Sequence, residues 1–529
     1  MVLCAFAMHG RVRPDFATAP VEYLRDGPPP AHAPARTAPP PAPAEEPGGR
    51  LWQGPMPEGH RGTAERTLLA GWLADVPDLA ALQDRLDAGG REAVRALRGD
   101  FTIAHLSPDG GTLRLYRGVT SMIPLFWRAD DDGLRWATDP LRLLDGPPTL
   151  ADLELDLLPM IVAEHGFPHD RSWFRGMRRL PAGTCLTLRS GGRPTLEPFD
   201  ALTPVPDPPR GVREAARGLR ERLGRACDRM LPDRDPVMLM LSGGMDSGAA
   251  AVELGRASAD PTGFHFTMDF PGFEDDRKAA ELVAAATGLD FLPYDMAAHV
   301  LEGGDYIEAP AGGALPQTHT PLRSMAAAGR EAHARGVRFV VSGLAADQIL
   351  AADVHRSLFE LAGWSALNPL AVGEPISQLL RRAATGSLWA SAPLGWRDYP
   401  RYLRALLRRD PTVALPDRDS IVHPIGLTDE AAAQVTRALR QAAAQAARQL
   451  AAAPSVSSVF ELNGFLDSPN LQAAALNDLL PNGCLPATPY FDRDVVEYAV
   501  ALPTGVRAGF GYGTAVDKLA LRVAYAGAG

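Results

Sequence analysis

Residues 237–248, Val-Met-Leu-Met-Leu-Ser-Gly-Gly-Met-Asp-Ser-Gly, join a short apolar run to a segment that is compatible with a helix. The apolar residues 237–241 have the length of a buried parallel strand and end at a turn signal. The two glycines after them allow a sharp turn close to a ligand, because glycine has no Cβ atom. A helix predicted over 248–256 would present unpaired N–H groups and the positive end of its dipole to an anion. The stretch therefore predicts an anion-binding loop between a strand and a helix.

Polar side chains in the same turn suit a phosphate group together with a metal ion. The hydroxyls of Ser242 and Ser247 can donate hydrogen bonds, and the Asp246 carboxylate can hold a magnesium ion that bridges phosphate oxygens. The turn lacks the G-x-x-x-x-G-K-S/T pattern of a Walker A loop. The alternative is an ordinary strand-to-helix turn without a ligand, which the order of strand, motif and helix disfavours.

Composition bounds the class of protein. With 529 residues, 46% hydrophobic and 22% charged, the chain is long enough for two domains with sizeable cores. Its net charge of −10 argues against a general nucleic-acid binder. The four cysteines form no CxxC pair, and neither a membrane-spanning run nor an export signal is recognised. We therefore expect a cytoplasmic protein that binds neither nucleic acid nor membrane.

The first part of the chain alternates short β-like runs with turn residues. Residues 28–47 are proline-rich and predict an extended loop, with polyproline recognition by a partner as the less favoured alternative. Residues 63–82 show helical apolar spacing, with Thr63 as the N-cap. Runs at 100–106, 112–116, 124–128, 134–138 and 184–189 predict antiparallel strands. The proline-rich residues 201–210 make the best domain boundary.

Beyond this boundary strands alternate with helices. Strands are predicted at 237–241, 263–267, 290–294 and 338–342, and helices at 213–231, 248–256, 275–287 and 321–335. Such alternation predicts a doubly wound parallel sheet with the ligand beyond the carboxyl ends of the strands. After residue 350 helices dominate, and 429–452 is interpreted as a plain helix that faces solvent.

Several motifs in this order resemble those of a known superfamily. They are Leu97-Arg-Gly-Asp-Phe101, Pro124-Leu-Phe-Trp127, Trp173-Phe-Arg-Gly-Met-Arg-Arg-Leu-Pro-Ala-Gly183, Ser242-Gly-Gly-Met-Asp-Ser247, Ser342-Gly-Leu-Ala-Ala-Asp347, Pro489-Tyr-Phe-Asp492, Leu502-Pro503 and Lys518-x-x-Leu521-Arg522. The turn after residue 241 resembles the pyrophosphate loop of ATP pyrophosphatases. The whole set resembles the asparagine synthetase superfamily, which includes β-lactam synthetases and the cyclases that close the macrolactam of lasso peptides.

The resemblance implies an α/β protein with two domains. Residues 1–200 would form an N-terminal-nucleophile (Ntn) hydrolase-like α+β sandwich, 201–210 a linker, and 211–529 a doubly wound parallel sheet of the ATP pyrophosphatase type with added helices. A working glutaminase needs a cysteine directly after Met1, because its free α-amine serves as the base. Val2 stands there instead, and Cys4 is interpreted as a structural thiol. We therefore expect a glutaminase-like domain that does not hydrolyse glutamine.

The implied chemistry is adenylation of a carboxylate with ATP and Mg²⁺. Asp246, Asp347 and Lys518 are the catalytic candidates; Asp246 and Asp347 would hold the metal, and for Lys518 a structural role is the favoured alternative. The nucleotide-binding candidates are Leu241, Ser242, Gly243, Gly244, Asp246, Ser247, Phe266, Thr267, Ser342 and Gly343. Among them, Phe266 and Thr267 would lie beside the adenine.

Three departures from the family pattern limit the resemblance. Leu344 stands where asparagine synthetases carry Glu and β-lactam synthetases a base-assisting Tyr, and a leucine cannot move a proton. Ala345 and Ala346 replace the family's small Gly or Ser residues in the turn, which they could crowd without abolishing it. A further family lysine that stabilises the adenylate has no counterpart in the sequence.

Other polar residues are weaker candidates. Glu308 and His319 could line an acyl pocket, and Asp353 and His355 could serve as replacement bases. His165 and His169 are four residues apart but lack a third metal ligand.

These observations favour an AMP-forming carbon–nitrogen ligase, specifically a lasso-peptide macrolactam synthetase. Its substrate would be a peptide, or alternatively a small-molecule carboxylate, and a precursor-peptide protease or leader-binding protein would be a partner. A β-lactam synthetase-like or asparagine synthetase-like amidotransferase is the alternative among enzymes. The alternative from another class is a catalytically inactive scaffold that binds a peptide.

Overall fold

The computed structural model describes residues 2–4, 8–12, 66–131, 133–146, 148–162, 168, 170–267, 276–295, 323–350, 427–449, 478–511 and 514–527. The strands are β1 (Val2–Cys4), β2 (His9–Val12), β3 (Thr67–Leu73), β4 (Gly99–Leu106), β5 (Thr112–Arg117), β6 (Phe126–Asp130), β7 (Gly133–Ala137), β8 (Arg178–Arg179), β9 (Thr184–Arg189), β10 (Thr195–Pro198), β11 (Val237–Met240), β12 (Pro261–Thr267), β13 (Asp290–Asp295), β14 (Phe339–Val341), β15 (Leu485–Ala487), β16 (Gly509–Gly511) and β17 (Thr514–Val516). The α-helices are α1 (Leu79–Arg95), α2 (Leu158–Val162), α3 (Val212–Met230), α4 (Met245–Ala257), α5 (Arg277–Thr287), α6 (Arg323–Ala334), α7 (Ala346–Leu350), α8 (Asp429–Gln449), α9 (Arg493–Ala501), α10 (Thr504–Arg507) and α11 (Leu519–Tyr525). Within these ranges no helix combines the length and the apolar character that a membrane span requires.

The first domain is a sandwich of two antiparallel sheets. One has six strands in the order β1-β3-β4-β5-β9-β10, and the other has four in the order β2-β7-β6-β8. Side chains from the facing sides of both sheets, such as Ala70, Leu115 and Trp136, lie in one buried core. Helix α1 covers the outer face of the larger sheet through Leu82. The layers follow the Ntn-hydrolase-like order that the sequence predicts.

The predicted helix at 63–82 is wrong. Its first part is strand β3, and α1 begins only at Leu79; Thr63 lies outside the described residues. Strand β3 is buried on both faces, because Ala70 and Trp72 pack between the sheets while Leu69 and Leu73 pack under α1. A strand that is buried on both faces has no alternation of apolar and polar residues. Its continuous run of apolar residues therefore also matched the spacing that an amphipathic helix requires, and the prediction was wrong.

Helix α8 lies where a helix was predicted, but it does not simply face solvent. Its Val435 and Leu439 are buried against Phe126, Leu157 and other residues on the outer face of the four-stranded sheet. The helix thus supplies an outer layer to the first domain, although in sequence it lies between strands β14 and β15 of the second domain.

The second domain is built on a parallel sheet with the strand order β13-β12-β11-β14-β15. Leu239 of β11 packs in the same core as residues of α3 and α4, whereas its neighbour Met238 packs with Ala328 of α6. Since successive side chains of a strand point to opposite faces, helices cover both sides of the sheet. The sheet is therefore doubly wound.

The strand order changes direction between β11 and β14. From β11 the chain moves outward to β12 and β13, then returns to place β14 on the other side of β11 and continues to β15. In a doubly wound sheet this reversal opens a crevice at the carboxyl ends of the two central strands. The loops that follow β11 and β14 contain the two motifs with which the candidate site is concerned.

Polar and apolar contacts join the two domains. The Arg493 guanidinium donates to both carboxylate oxygens of Asp200, at 2.6 and 3.0 Å, and Asp200 is nearly buried. The backbone N–H of Thr203 donates to Glu497, also on α9, at 2.9 Å. Trp72 of β3 packs edge-on against Phe339 of β14, with ring centroids 5.8 Å apart. The parallel sheet is thus supported directly by the sandwich.

Candidate functional site

The loop after β11 makes a tight turn against helix α5. Gly243 has φ of +78°, and a Cβ at this position would lie 2.7 Å from the backbone nitrogen of Ala280 and 2.9 Å from Cβ of Ala279. A side chain is therefore excluded by both conformation and space. Gly244 then caps α4, so the first turn of that helix begins at the loop. The sequence-predicted strand, turn and helix are present in the expected order.

Two hydroxyl groups hold the shape of this loop. The Ser242 and Ser247 hydroxyl oxygens are 2.9 Å apart, and the backbone N–H of Ser242 donates to Ser247 Oγ at 3.2 Å. The N–H of Gly244 donates to Ser242 Oγ at 3.2 Å. Ser247 is buried, whereas Ser242 and Gly244 are exposed. The outer side of the loop is therefore exposed to solvent, while hydrogen bonds inside the loop hold its shape.

The loop after β14 lies directly against the first one. A Cβ on Gly343 would be 2.9 Å from the backbone nitrogen of Ser247 and 3.0 Å from Cβ of Asp246, so glycine permits this approach. The neighbouring Ser342 donates its N–H to the carbonyl of Ala487 in β15 at 3.0 Å. Ala345 has φ of +75°, a left-handed conformation that is costly for a residue with a side chain. The turn therefore accepts Ala345 with backbone strain.

Asp246 and Asp347 meet at the ammonium group of Lys518. Lys518 Nζ lies 2.5 Å from Asp246 Oδ2 and 2.6 Å from Asp347 Oδ1. Asp246 is mostly buried, the Lys518 side chain is 9% exposed, and Asp347 is 55% exposed. The structure thus brings all three catalytic candidates together, with the lysine between the two carboxylates.

Burial and ion pairing act against each other on these groups. Burial raises the pKa of the Asp246 carboxyl, and the hydrogen bond from Lys518 opposes that rise. Burial lowers the pKa of Lys518, but its hydrogen bonds to the two aspartates outweigh burial, so the net shift is upward. The lysine therefore remains an ammonium ion at neutral pH.

The carboxylates have the chemistry that a magnesium ion requires. Asp246 Oδ1 is buried and has no hydrogen-bond partner among the described residues, so one oxygen is free to coordinate. Mg²⁺ prefers oxygen donors and is usually held by one or two carboxylates together with substrate phosphates. In the part of the chain that is described, no group of three or more His, Cys, Asp or Glu residues forms a metal site of its own. Asp246 and Asp347 fit a metal that the nucleotide helps to bind.

A short segment after β15 ties the two loops together. The Tyr490 hydroxyl donates to the backbone carbonyl of Asp246 at 2.9 Å, and the Thr488 hydroxyl donates to that of Leu344 at 2.8 Å. Tyr490 is completely buried. Tyr490 belongs to the Pro489-Tyr-Phe-Asp492 motif and Thr488 directly precedes it, but the sequence alone predicts no role for either residue. The available signal was a tyrosine hydroxyl between the apolar residues Pro489 and Phe491, since buried hydroxyls usually have a partner.

The remaining nucleotide-binding candidates lie at the carboxyl end of the sheet. Leu241 is buried; its N–H donates to the carbonyl of Phe264, and its own carbonyl lies 2.7 Å from Nδ1 of His265. Phe266 and Thr267 are the last residues of β12, beside β11, and both are half-buried. These positions border the loop after β11. Glu308, His319, Asp353, His355, His165 and His169 lie outside the described residues.

The fold and site define a two-domain protein in which an Ntn-like sandwich carries an α/β domain with an ATP pyrophosphatase-type loop. Residues 218–528 match the family model of asparagine synthase, and residues 78–199 match that of the glutamine amidotransferase domain. Because the first match spans more than half of the chain, the protein belongs to the asparagine synthase family, a family of ATP-using enzymes that form carbon–nitrogen bonds.

Solved structures give weaker likenesses. Glutamine phosphoribosylpyrophosphate amidotransferase from B. subtilis, complexed with ADP and GMP, is 11% identical and covers 48% of this chain and 76% of its own, with a TM-score of 0.19. The U34-tRNA thiolase NcsA from Methanococcus maripaludis, with its 4Fe–4S cluster, is 13% identical and covers 43% and 77%, also with a TM-score of 0.19. TM-scores this low support no inference about this chain. No protein in a comparison with curated proteins matches it.

Proposed function

We propose that this protein adenylates a carboxylate with ATP and transfers the acyl group to an amine, forming an amide with release of AMP and pyrophosphate. The main support for the proposal is that the loops after β11 and β14 meet at the crevice where the strand order of the sheet reverses. There Asp246 and Asp347 converge beside the first turn of α4. A helix N-terminus with converging hydroxyls and carboxylates suits a metal-bound diphosphate.

The reaction has two steps. An oxygen of the substrate carboxylate attacks the α-phosphorus of ATP, the bond to the bridging oxygen of the β-phosphate breaks, and pyrophosphate leaves. The amine nitrogen then attacks the acyl carbon, the bond to the AMP oxygen breaks, AMP leaves, and the nitrogen loses its proton to solvent water. Ser242, Ser247 and the N–H groups of the loop would hold the pyrophosphate. Asp246 and Asp347 would hold Mg²⁺, which when bound neutralises phosphate charge.

The substrate that we favour is a ribosomal peptide, closed on itself as the macrolactam of a lasso peptide. Leu344 supports this choice, because its exposed side chain occupies the position of the Glu or Tyr of the better-known relatives and cannot move a proton. An Asp or Glu side chain roughly seven to nine residues from a free α-amine would let the ends meet, and proximity makes such a step efficient. A precursor-peptide protease or a leader-binding protein would deliver the substrate. Glutamine hydrolysis by the first domain is not part of the proposed reaction.

Two other functions remain as alternatives. One is amide formation on a small molecule, as in β-lactam or asparagine synthetases. The other is a catalytically inactive member that binds a peptide. Leu344 weighs against the first, and the paired carboxylates with their free Asp246 oxygen weigh against the second.

Pyrophosphate release from Mg²⁺–ATP, with and without candidate peptides, tests the proposal. We expect release that depends on the acidic peptide, with AMP as the nucleotide product, and an at least hundredfold loss in Asp246→Asn because the metal loses a ligand. Asp290→Asn is the matched control. Asp290 is exposed and is the first residue of the edge strand β13, so it lies away from the carboxyl ends of β11 and β14 where the site is. Release of ADP and phosphate would contradict the proposal, and absence of nucleotide binding would favour the scaffold.

A further inference from the structure

Lys518 occupies an unusual place for a lysine in this chain. Of 53 lysines and arginines only Lys278 and Lys518 are lysines, and Lys518 is the one that is buried. Its ammonium group is in contact with both Asp246 and Asp347. An ammonium is a compact point charge, so it can sit between two carboxylates much as a metal ion does, whereas a guanidinium spreads its charge over a planar fork.

The backbone holds Lys518 in this position. The residue has φ of 49° and ψ of 38°, a left-handed conformation that is rare outside glycine, and it is the N-cap of helix α11. Helix α11 in turn packs on α3, and Leu521 lies in the main core. The side chain therefore enters the site from a packed element of the fold.

We propose that Lys518 serves as a built-in cation, filling the place between Asp246 and Asp347 that Mg²⁺ takes when the nucleotide binds. This inference rests on the proposed function, because it takes these aspartates as the metal ligands. One ammonium leaves the carboxylate pair with a single net negative charge. Asp246 and Asp347 would hold Mg²⁺ only once the Lys518 ammonium had left at least one of them, and Lys518 could then donate to phosphate oxygens. Metal alone therefore binds weakly, and metal with nucleotide binds well.

The binding of Mn²⁺ alone, followed by its electron paramagnetic resonance signal, is the first test. In Lys518→Gln the carboxylates lose their internal cation, so Mn²⁺ should bind roughly tenfold more tightly than in the wild type, since a unit charge this close to the site opposes the metal strongly. Lys278→Gln is the matched control: it removes the same charge from an exposed residue and should change affinity less than twofold. Equal or weaker Mn²⁺ binding by Lys518→Gln would overturn the proposal.

A second test uses the unaltered protein, so it does not depend on how a variant folds. A water-soluble N-hydroxysuccinimide ester acylates accessible lysines, and mass spectrometry reads Lys518 against exposed Lys278 as an internal reference. Without metal, Lys518 should react slowly because it is buried and ion-paired. Mg²⁺ alone should raise its labelling several-fold, while Lys278 stays constant. Unchanged labelling of Lys518 at Mg²⁺ concentrations where calorimetry shows binding would refute the exchange.

Parallel assays of pyrophosphate release separate this inference from the proposed function. If the wild type releases pyrophosphate but Mg²⁺ does not change the labelling of Lys518, the proposal that Mg²⁺ replaces the Lys518 ammonium is wrong and the proposed function stands. If Mg²⁺ raises the labelling of Lys518 but no carboxylate substrate supports pyrophosphate release, the replacement of the ammonium by Mg²⁺ stands and the proposed function fails.

Discussion

At the scale of single residues, the site depends on contacts between positions far apart in sequence. Tyr490 and Asp246 are 244 residues apart, yet the tyrosine hydroxyl fixes the backbone carbonyl of Asp246. Lys518 reaches Asp246 across 272 residues. The motifs could be recognised from sequence because each is local. The partners of each motif could not, because nothing local specifies which distant hydroxyl or ammonium will meet it.

Tyr490→Phe should disturb the site more than the fold. The variant keeps the buried ring and loses one hydrogen bond, so the free energy of unfolding should fall by about 1 kcal/mol. Because Asp246 then loses its anchor, pyrophosphate release should fall at least fivefold, with a higher Mg²⁺ requirement. Urea unfolding and a Mg²⁺ titration of activity measure the two effects.

Tyr498→Phe is the matched control for this change. The Tyr498 hydroxyl also donates to a backbone carbonyl, that of Ala215 at 3.1 Å, but on helix α3. We expect a similar loss of stability with little change in pyrophosphate release. Equal losses of activity in both variants would show that Tyr490 has no special role in positioning Asp246.

At the scale of elements, prediction succeeded where local pattern and tertiary environment agree. Strand β9 has the predicted bounds. Strand β15 was missed because Leu485–Ala487 is only three residues long and contains Pro486, which normally argues against a strand but is tolerated at the sheet edge. The prediction that α8 only faces solvent was wrong, because its sequence does not reveal that one side of the helix packs on the four-stranded sheet of the first domain.

Gly343→Ala should separate the two loops. The added Cβ would meet the backbone nitrogen of Ser247 at 2.9 Å, and backbone atoms cannot turn aside as a flexible side chain can. A shift of this kind misplaces Asp347 relative to Asp246, and misplacement by about 1 Å can cost about a hundredfold in rate. We expect pyrophosphate release to fall by at least tenfold, as measured with saturating ATP.

Gly211→Ala provides the comparison for this variant. Nothing lies within 4 Å of a Cβ at Gly211, which caps α3 with φ of −92°. Its activity should stay within twofold of the wild type. A Gly343→Ala protein as active as Gly211→Ala would mean that the close approach of the loops is not required.

At the scale of the whole molecule, two buried titratable groups in the first domain have opposite effects on how stability depends on pH. Burial lowers the pKa of His105 to about 4, and burial raises the pKa of Asp100 to about 6. His105 Nδ1 lies 2.9 Å from the Thr67 hydroxyl oxygen, its Nε2 lies 3.2 Å from Asp87 Oδ1, and the His105 side chain is 2% exposed. Its effect is on stability.

The pH dependence of unfolding follows from these two shifts. Between about pH 6.5 and 4 the unfolded chain protonates His105 and the native protein does not, so this group lowers stability on acidification. Between about pH 6 and 4 native Asp100 binds a proton that the unfolded chain lacks, so this group raises stability on acidification. Each effect is on the order of a few kcal/mol, and the two have opposite signs.

Relative to the wild type, Asp100→Asn should therefore shift the change in stability between about pH 7 and pH 4.5 toward a loss, and His105→Gln should shift it toward a gain. Urea unfolding of the two variants and the wild type at both pH values measures these slopes. Three equal slopes would mean that neither group titrates as the structure implies.

The doubly wound sheet could be predicted from the alternation of strands and helices. The run of short strands before it predicted antiparallel pairing, and only the family resemblance implied a sandwich. The joining of the two domains could not, because Asp200 and Arg493 are 293 residues apart and ordinary in their local sequence. The support that one domain gives the other emerges only when the chain is folded.

The transfer of ¹⁸O from a substrate carboxylate to AMP tests the central claim most directly. With a labelled acidic peptide, Mg²⁺ and ATP, mass spectrometry of the recovered AMP should find one ¹⁸O atom for each amide formed, because a carboxylate oxygen attacks the α-phosphorus and leaves with AMP. AMP without label, or ADP with labelled phosphate, would contradict the claim that the loops after β11 and β14 support adenylation.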